Sequence, residues 1–474
     1  MHYFAGLDIG TTHTKLVIAT ASLDIVFQEK MGYLRGFGAT LDGDEIYQNI
    51  TRLLENANRE LDLSTNDVTI AISAAMHSLL LVDAAAVPLT PVYTWADTSS
   101  QPAMDALHEE PAAEALFSET GTPLHPMSPF CKLAWMKFST PHVLAAAYKC
   151  IGIKELVWYR ITGQWEIDHS LASATGLFSQ QTLSWHKKAI EMAGITEGQL
   201  SLPVPITRTL VRGNFQWVIG ASDGCLAQLG SGAMKKGTAA LTIGTSGAIR
   251  MTMSGLWIDE KRELFTYLLD EDHFVCGGST NNGGIVLEWW QEKVMEQKGE
   301  TSILVNSFLS AAEKAEPGCD GLVCLPYFGG ERAPVWDAAA TGVFAGINNH
   351  HGQPEFKRAI LEGIGFSFRL LLEKLEAAGG NVEKIFASGG FTQSAWWVQL
   401  MADILQKPML LNAADADASA MGAIAVGLKA AGLISNWQEF ADLLPPKHSV
   451  YEPDANTRET YFYNYQHFCR LCQY

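Results

Sequence analysis

Residues 8–15 read Asp8-Ile9-Gly10-Thr11-Thr12-His13-Thr14-Lys15 and lie between two apolar runs, Tyr3–Leu7 and Leu16–Ala19. A carboxylate that directly follows an apolar strand is desolvated, at a cost that a cation offsets. The turn behind it frees backbone N–H groups at Gly10 and adds the hydroxyls of Thr11, Thr12 and Thr14. That is a nest for phosphate oxygens, with Asp8 placed to hold a cation through water. On its own the octet also reads as a plain polar hairpin whose aspartate caps the turn. Almost half the chain later, Ile243-Gly244-Thr245-Ser246 matches Ile9-Gly10-Thr11-Thr12, again after one apolar strand and before another. A third glycine-bearing turn, Ser388-Gly389-Gly390-Phe391-Thr392-Gln393-Ser394, joins a short strand at Lys384–Ala387 to a helix ending near Leu405. A glycine pair there lets a ligand approach the backbone at a positive helix end, although Ser394 also suits a simple helix cap.

The elements that must carry these turns follow from periodicity. Ile25–Tyr33 reads as a third strand, Asp44–Leu61 as a helix with Ile46, Ile50, Leu53, Leu54, Ala57 and Leu61 in one stripe, and Val68–Ser73 as a further strand. After the second turn, strands are expected near Phe265–Leu269 and His273–Cys276. A helix from about Gly284, with Leu287, Trp290 and Val294 on one face, should follow them. Two units of three strands and a helix, each opened by a Gly-Thr hairpin, indicate duplicated α/β domains with boundaries at 1–234 and 235–474. Residues 74–100 form a polar-studded loop region, and residues 101–200 a mostly helical insertion broken by proline and glycine.

Composition narrows the function classes. A chain of 474 residues is too long for one core. With 47% apolar and 18% charged residues it is globular, and a net charge of −18 without a Lys/Arg cluster argues against a nucleic-acid partner. No apolar run reaches membrane-spanning length, and the N-terminus enters a strand without a secretory pattern, so a membrane partner is not expected. The eight scattered cysteines, with a lone Cys469/Cys472 pair, do not form a disulfide framework, which points to a reducing, cytoplasmic compartment. Residues 230–238 imitate a P-loop in composition but lack its Gly-Lys-Ser/Thr order. Gly244-Thr245-Ser246-Gly247 is no nucleophile elbow.

The two hairpins, Met76-His77, Trp95-Ala96-Asp97, Ser222-Asp223-Gly224, Gly330-Glu331-Arg332-Ala333-Pro334 and Ser388-Gly389-Gly390 occur in an order that resembles the FGGY carbohydrate kinases, of the actin/hexokinase/Hsp70-like ATPase superfamily. The resemblance spans essentially the whole chain. It implies two ribonuclease-H-like (actin-like ATPase) domains with a deep interdomain cleft, ATP and Mg²⁺ as cofactors, and a small-molecule sugar or sugar acid as partner. A homodimer is compatible with it. By the same resemblance Asp8 orders Mg²⁺, and Gly10, Thr11, Thr12 and Lys15 form the first phosphate motif. Gly244, Thr245 and Ser246 form the second, Gly284 adds a nucleotide contact, and Gly389-Gly390 form the adenosine motif. Asp223 is the catalytic base, whereas read alone it could cap a helix opening behind Ser222. Met76, His77, Trp95 and Asp97 line the sugar, and Asp168–Gly176 lies near the site.

Local phrases around Met76, Trp95, Met127 and Thr175 resemble the gluconate kinase branch. That makes gluconate to 6-phosphogluconate the expected reaction, with Lys132, Lys154 and Arg332 as candidate partners of the substrate carboxylate. Ser99 stands where relatives often carry arginine, which keeps a xylulose-type or other ketose/polyol kinase, and a non-catalytic sugar or nucleotide sensor, as alternatives.

Overall fold

The computed structural model describes residues 2–34, 39–411, 417–445 and 449–472. The chain forms two compact units. One comprises Met1–Lys235, Thr252–Cys276 and Asp415–Leu444, the other Lys236–Met251, Gly277–Ala414 and Pro445–Tyr474.

In the first unit, β1 (His2–Ile9), β2 (His13–Ala19) and β3 (Ile25–Gly32) make an antiparallel meander. Helix α1 (Gly43–Leu61) follows, and β4 (Asp67–Ala74) returns parallel to β1. β5 (Phe215–Ser222) then adds parallel to β4, giving the order β3-β2-β1-β4-β5 with Thr209–Arg212 on the outer edge. β1 and β4 are buried along almost their whole length because each is paired on both edges and covered by helices. Edge strand β3 alternates, burying Phe27 between exposed neighbours. α1 begins at Asp42, whose carboxylate accepts from the N–H groups of Asp44 (2.8 Å) and Glu45 (3.4 Å), and its expected stripe of Ile46, Ile50, Leu53 and Ala57 is buried.

The second unit repeats the plan. β6 (Thr238–Ile243) and β7 (Gly247–Met253) form a hairpin, β8 (His273–Thr280) follows, and β9 (Lys384–Ser388) and β10 (Met409–Leu411) lie parallel to β6 beyond it. Within a seven-stranded sheet they run β8-β7-β6-β9-β10, which matches the order of the first sheet. One expectation needs correction. The helix after Gly284 covers only Ile285–Trp289 before passing into a π-type turn at Trp290–Val294. The wider turn rotates the face, so Leu287 and Trp290 are buried while Val294 is exposed.

In the insertion, prolines that interrupt the helical pattern prove to be helix starts: Pro111–Thr120, Pro129–Ser139 and Pro141–Ala146 each carry proline in the first turn. Cys469 lies in the last helix, Arg458–Leu471, with Cys472 capping it, and none of the eight cysteines is joined in a disulfide. Among the described residues no helix is long and apolar enough to cross a membrane.

The packing that matters most for the site joins distant parts of the sequence. Helix α2 (Asp223–Gly230) follows β5 directly. Helix α4 (Ala418–Ala430), which comes after α3 (Ala395–Leu405), lies on β1 and crosses α2. The crossing works because hydrogen replaces a side chain at the contacts. A Cβ on Gly422 would sit 2.0 Å from the Leu226 carbonyl oxygen, one on Gly230 1.9 Å from that of Ala418, and one on Gly6 2.1 Å from that of Ala420. As a result the start of α4 lies along α2, and Ser419 Oγ donates to the Asp223 carbonyl at 3.3 Å.

Candidate active site

Asp8 is the penultimate residue of β1 and pairs across the hairpin with Lys15. The turn closes through Gly10 N–H donating to the His13 carbonyl at 3.0 Å, and Tyr33 OH donates to the Gly10 carbonyl at 3.0 Å. Thr11 and Thr12 remain partly exposed at the tip, and Thr12 Oγ1 lies 2.7 Å from His13 Nδ1. Asp8 is only 6% exposed, and Ser73 Oγ donates to its carboxylate at 2.6 Å. Burial first, then the neighbouring charge of Asp417, push the Asp8 carboxyl up to about 8, with Asp223 adding to the rise and Lys15 opposing it. Lys15 forms an ion pair with Asp417, the residue whose side chain caps α4 by accepting from the N–H groups of Ser419 (3.0 Å) and Ala420 (3.3 Å). Burial alone would lower the Lys15 ammonium, but Asp417 outweighs it and holds it above its usual value.

A buried carboxyl raised by two further carboxylates fits a hard cation, which would restore its charged form. Among the described residues, the group whose ligand atoms crowd within 4.8 Å of one another is Asp320, His350 and His351. Asp8, Asp223 and Asp417 therefore do not form a tight chelating trio. Without a cation, the folded state keeps a proton on Asp8 that the unfolded chain releases above its ordinary pKa of 3.8, so this group lowers stability as pH rises from there toward about 8. Thermal melts in EDTA should find Asp8→Asn more stable than the parent at pH 8, with the gap shrinking as pH falls toward 4. A gap that stays constant with pH would exclude Asp8 ionisation as its source.

At the end of β5 the helix cap is Ser222, whose Oγ accepts from Cys225 N–H at 3.4 Å. Capping is thus not the work of Asp223, which is the first helical residue; its Oδ1 accepts from Gly224 N–H at 2.7 Å. Ser222 is fixed from behind by Ser170, with the two hydroxyls 2.9 Å apart and Ser222 N–H donating to Ser170 Oγ at 3.2 Å. Lys154, fully buried, donates to Asp168 at 2.7 Å and to the Ala221 carbonyl at 3.0 Å, tying the same strand end to the Asp168–Gly176 stretch. That stretch also holds His77, whose Nδ1 donates to the Ala174 carbonyl at 2.8 Å, while Tyr267 OH lies 3.4 Å from Nε2. His77 sits at φ +65°, a conformation that needs such anchoring.

A bridge between Leu79 and Tyr93 draws the Met76-His77 turn and the Trp95–Asp97 turn together, with N–H···O distances of 2.9 and 2.8 Å. Met76 and Trp95 are half-buried and Asp97 is buried. Ser99, in the position where arginine was the expected type, donates from its hydroxyl to Asp97 Oδ1 at 2.5 Å. Among the candidate cations for a substrate carboxylate, Lys132 is wholly buried and donates to the carbonyls of Pro126 (2.9 Å) and Met127 (2.6 Å). Burial lowers its ammonium to about 8 against the pull of Asp97. Lys154 is spent on Asp168, and Arg332, in the second unit, donates to the Thr280 carbonyl at 2.8 Å. All three brace backbone.

In the second unit, the residues singled out from the sequence converge. Gly244 N–H donates to the Ser246 carbonyl at 2.9 Å, closing a hairpin tighter by one residue than the first: Ile243 pairs with Gly247, whereas Ile9 pairs with Thr14. Gly284 N–H donates to the Gly244 carbonyl at 2.7 Å and Ile285 N–H to that of Thr245 at 3.1 Å, so Gly284 buttresses the hairpin. Ser388 and Thr242 hydroxyls lie 2.9 Å apart, and Gly389, at φ +96°, packs its Cα where a Cβ would be 2.4 Å from the Ile243 carbonyl. Gly390 starts a short 3₁₀ turn with open space around it, and Ser394 caps α3 by accepting from Trp397 N–H at 3.3 Å. Asp417 was not legible as part of any of this. An aspartate before a helix signals a cap, but nothing in sequence links it to Lys15, 402 positions earlier.

Comparison with known proteins agrees with the fold and the family resemblance. Residues 3–215 match the N-terminal domain of the FGGY family of carbohydrate kinases and residues 239–431 its C-terminal domain. A gluconokinase of Bacillus licheniformis is 36% identical over 479 aligned residues, covering 96% of this chain and 93% of its own. Among solved structures, a gluconate kinase from Lactobacillus acidophilus superposes with a TM-score of 0.91 at 30% identity, covering 99% of this chain and 97% of its own. A ligand-bound xylulose kinase from the same organism also gives 0.91 at 30% identity, over 99% and 98% of the two chains. The chain therefore belongs to the FGGY family of carbohydrate kinases.

Proposed function

We propose that this kinase phosphorylates gluconate to 6-phosphogluconate, using ATP and Mg²⁺, in the cytoplasm. The observation that carries the catalytic part is Asp223. It opens α2 without serving as its cap, on a strand end braced by Ser170, Lys154 and Asp168. A carboxylate so fixed accepts the proton of the attacking C6 hydroxyl while that oxygen bonds the γ-phosphorus and ADP departs. Gly10, Thr11, Thr12 and Lys15 hold phosphate oxygens, as do Gly244, Thr245 and Ser246. Gly284 supports the latter hairpin, and Gly389-Gly390 take the adenosine. Asp8 would hold Mg²⁺, which when bound would supply neutralisation of the phosphate charge. Met76, His77, Trp95 and Asp97 receive the sugar: His77 and Asp97 bond hydroxyls, and Trp95 offers a flat wall.

The choice of a sugar acid rests on the gluconokinase relatives. A ketose remains the second reading, because the xylulose kinase structure superposes as well as the gluconate kinase and Ser99 adds no positive charge near Asp97. ADP release measured over aldonates, ketoses and polyols separates them. Gluconate should exceed every ketose in kcat/KM by at least about tenfold, which corresponds to roughly 1.4 kcal/mol of transition-state preference. A neutral ketose in first place would overturn the gluconate assignment.

A further inference from the structure

Asp8 and Lys15 are directly opposed across the β1–β2 hairpin, so an opposite-charge pair between them is the default cross-strand arrangement. The structure departs from that default: Lys15 turns to Asp417 instead, and Ser73 Oγ donates to the Asp8 carboxylate. Asp417 is available for this because the glycine-mediated crossing of α4 over α2 and β1 brings the start of α4 to the hairpin. It is held in place by its own capping bonds, which occupy Oδ1 and leave Oδ2 to the lysine.

We propose that Asp417 is a positioning residue that keeps Lys15 off Asp8, so that Asp8 stays open to a hydrated divalent cation while the Lys15 ammonium is aimed at phosphate. This rests on the roles proposed above for Asp8 and Lys15. It divides one hairpin between two opposite charges: the cation goes to Asp8, and the ammonium is stored on a separate carboxylate. Neutralising Asp417 would let Lys15 collapse onto the nearest remaining carboxylate, its cross-strand partner Asp8, and so compete with the cation.

The roles of cap and charge can be separated, because asparagine caps a helix about as well as aspartate. Mn²⁺ is titrated into the full-length, untagged protein and the free ion followed by electron paramagnetic resonance, alongside thermal melts. Asp417→Asn should keep the melting temperature but weaken Mn²⁺ binding at least fivefold, and adding Lys15→Met should restore it to within twofold of the Lys15→Met protein. Asp417→Asn binding Mn²⁺ like the parent, or no restoration on removing Lys15, overturns the assignment. Mn²⁺ binding that is lost in Asp8→Asn but kept in Asp417→Asn overturns it alone. Binding that Asp8→Asn leaves unchanged also removes the cation role proposed for Asp8.

Discussion

Asp223→Asn should lower kcat by about 10³-fold, within the span that general-base groups contribute, while the Kd for ADP changes less than about twofold. The substitution preserves shape and the hydrogen bond from Gly224 N–H, and Ser222 continues to cap α2, so the fold has no reason to change. What disappears is the carboxylate that, on the mechanism proposed above, takes the proton from the sugar hydroxyl. Single-turnover phosphoryl transfer measured beside ADP titration calorimetry reads the two effects separately. Turnover within threefold of the parent would remove Asp223 from the role of base. Equal losses in turnover and ADP affinity would instead mark it as part of nucleotide binding.

Gly422→Val should destabilise the first unit by about 3 kcal/mol, at the upper end of what overpacking costs, because the atom its Cβ meets is backbone. Leu226 O would lie 2.0 Å from the new Cβ, and the Leu226 carbonyl belongs to α2, which cannot rotate out of the way as a flexible side chain would. Relief requires α4 to lift from α2. That motion separates Asp417 from Lys15 and breaks the contact from Ser419 to Asp223, so activity should fall together with the melting temperature. Gly255→Ala is the control: a Cβ there meets nothing within 4 Å, and it should leave both quantities near those of the parent. If Gly422→Val melts and turns over like the control, α4 does not depend on the close contact of Gly422 with the Leu226 carbonyl.

Local pattern made much of this protein legible. Strand and turn chemistry marked both hairpins, periodicity marked α1, and the repeated Ile-Gly-Thr phrase disclosed the duplicated domains, because each of these depends on neighbours within a few residues. Local reasoning failed where the backbone ceased to be regular or where a side chain had competing partners. Val294 left its expected face because a π-type turn changes the angular spacing, which an ideal helical period does not anticipate. Lys132, Lys154 and Arg332 were candidates by residue type alone, whereas the bonds they make to the carbonyls of Pro126, Ala221 and Thr280, and that of Lys154 to Asp168, follow from packing that local pattern does not show.

The sequence by itself determined the two strand–turn–strand hairpins and the family resemblance, and through that resemblance it drew attention to Asp8 and Asp223. Only the tertiary structure decided that Ser222 and not Asp223 caps α2, and that Lys15 answers to Asp417 and not to Asp8. The physical reason is contact order. Ion pairs and caps are set by which groups share a few ångströms, and the glycine crossing that brings α4 to the first hairpin joins residues about 400 positions apart.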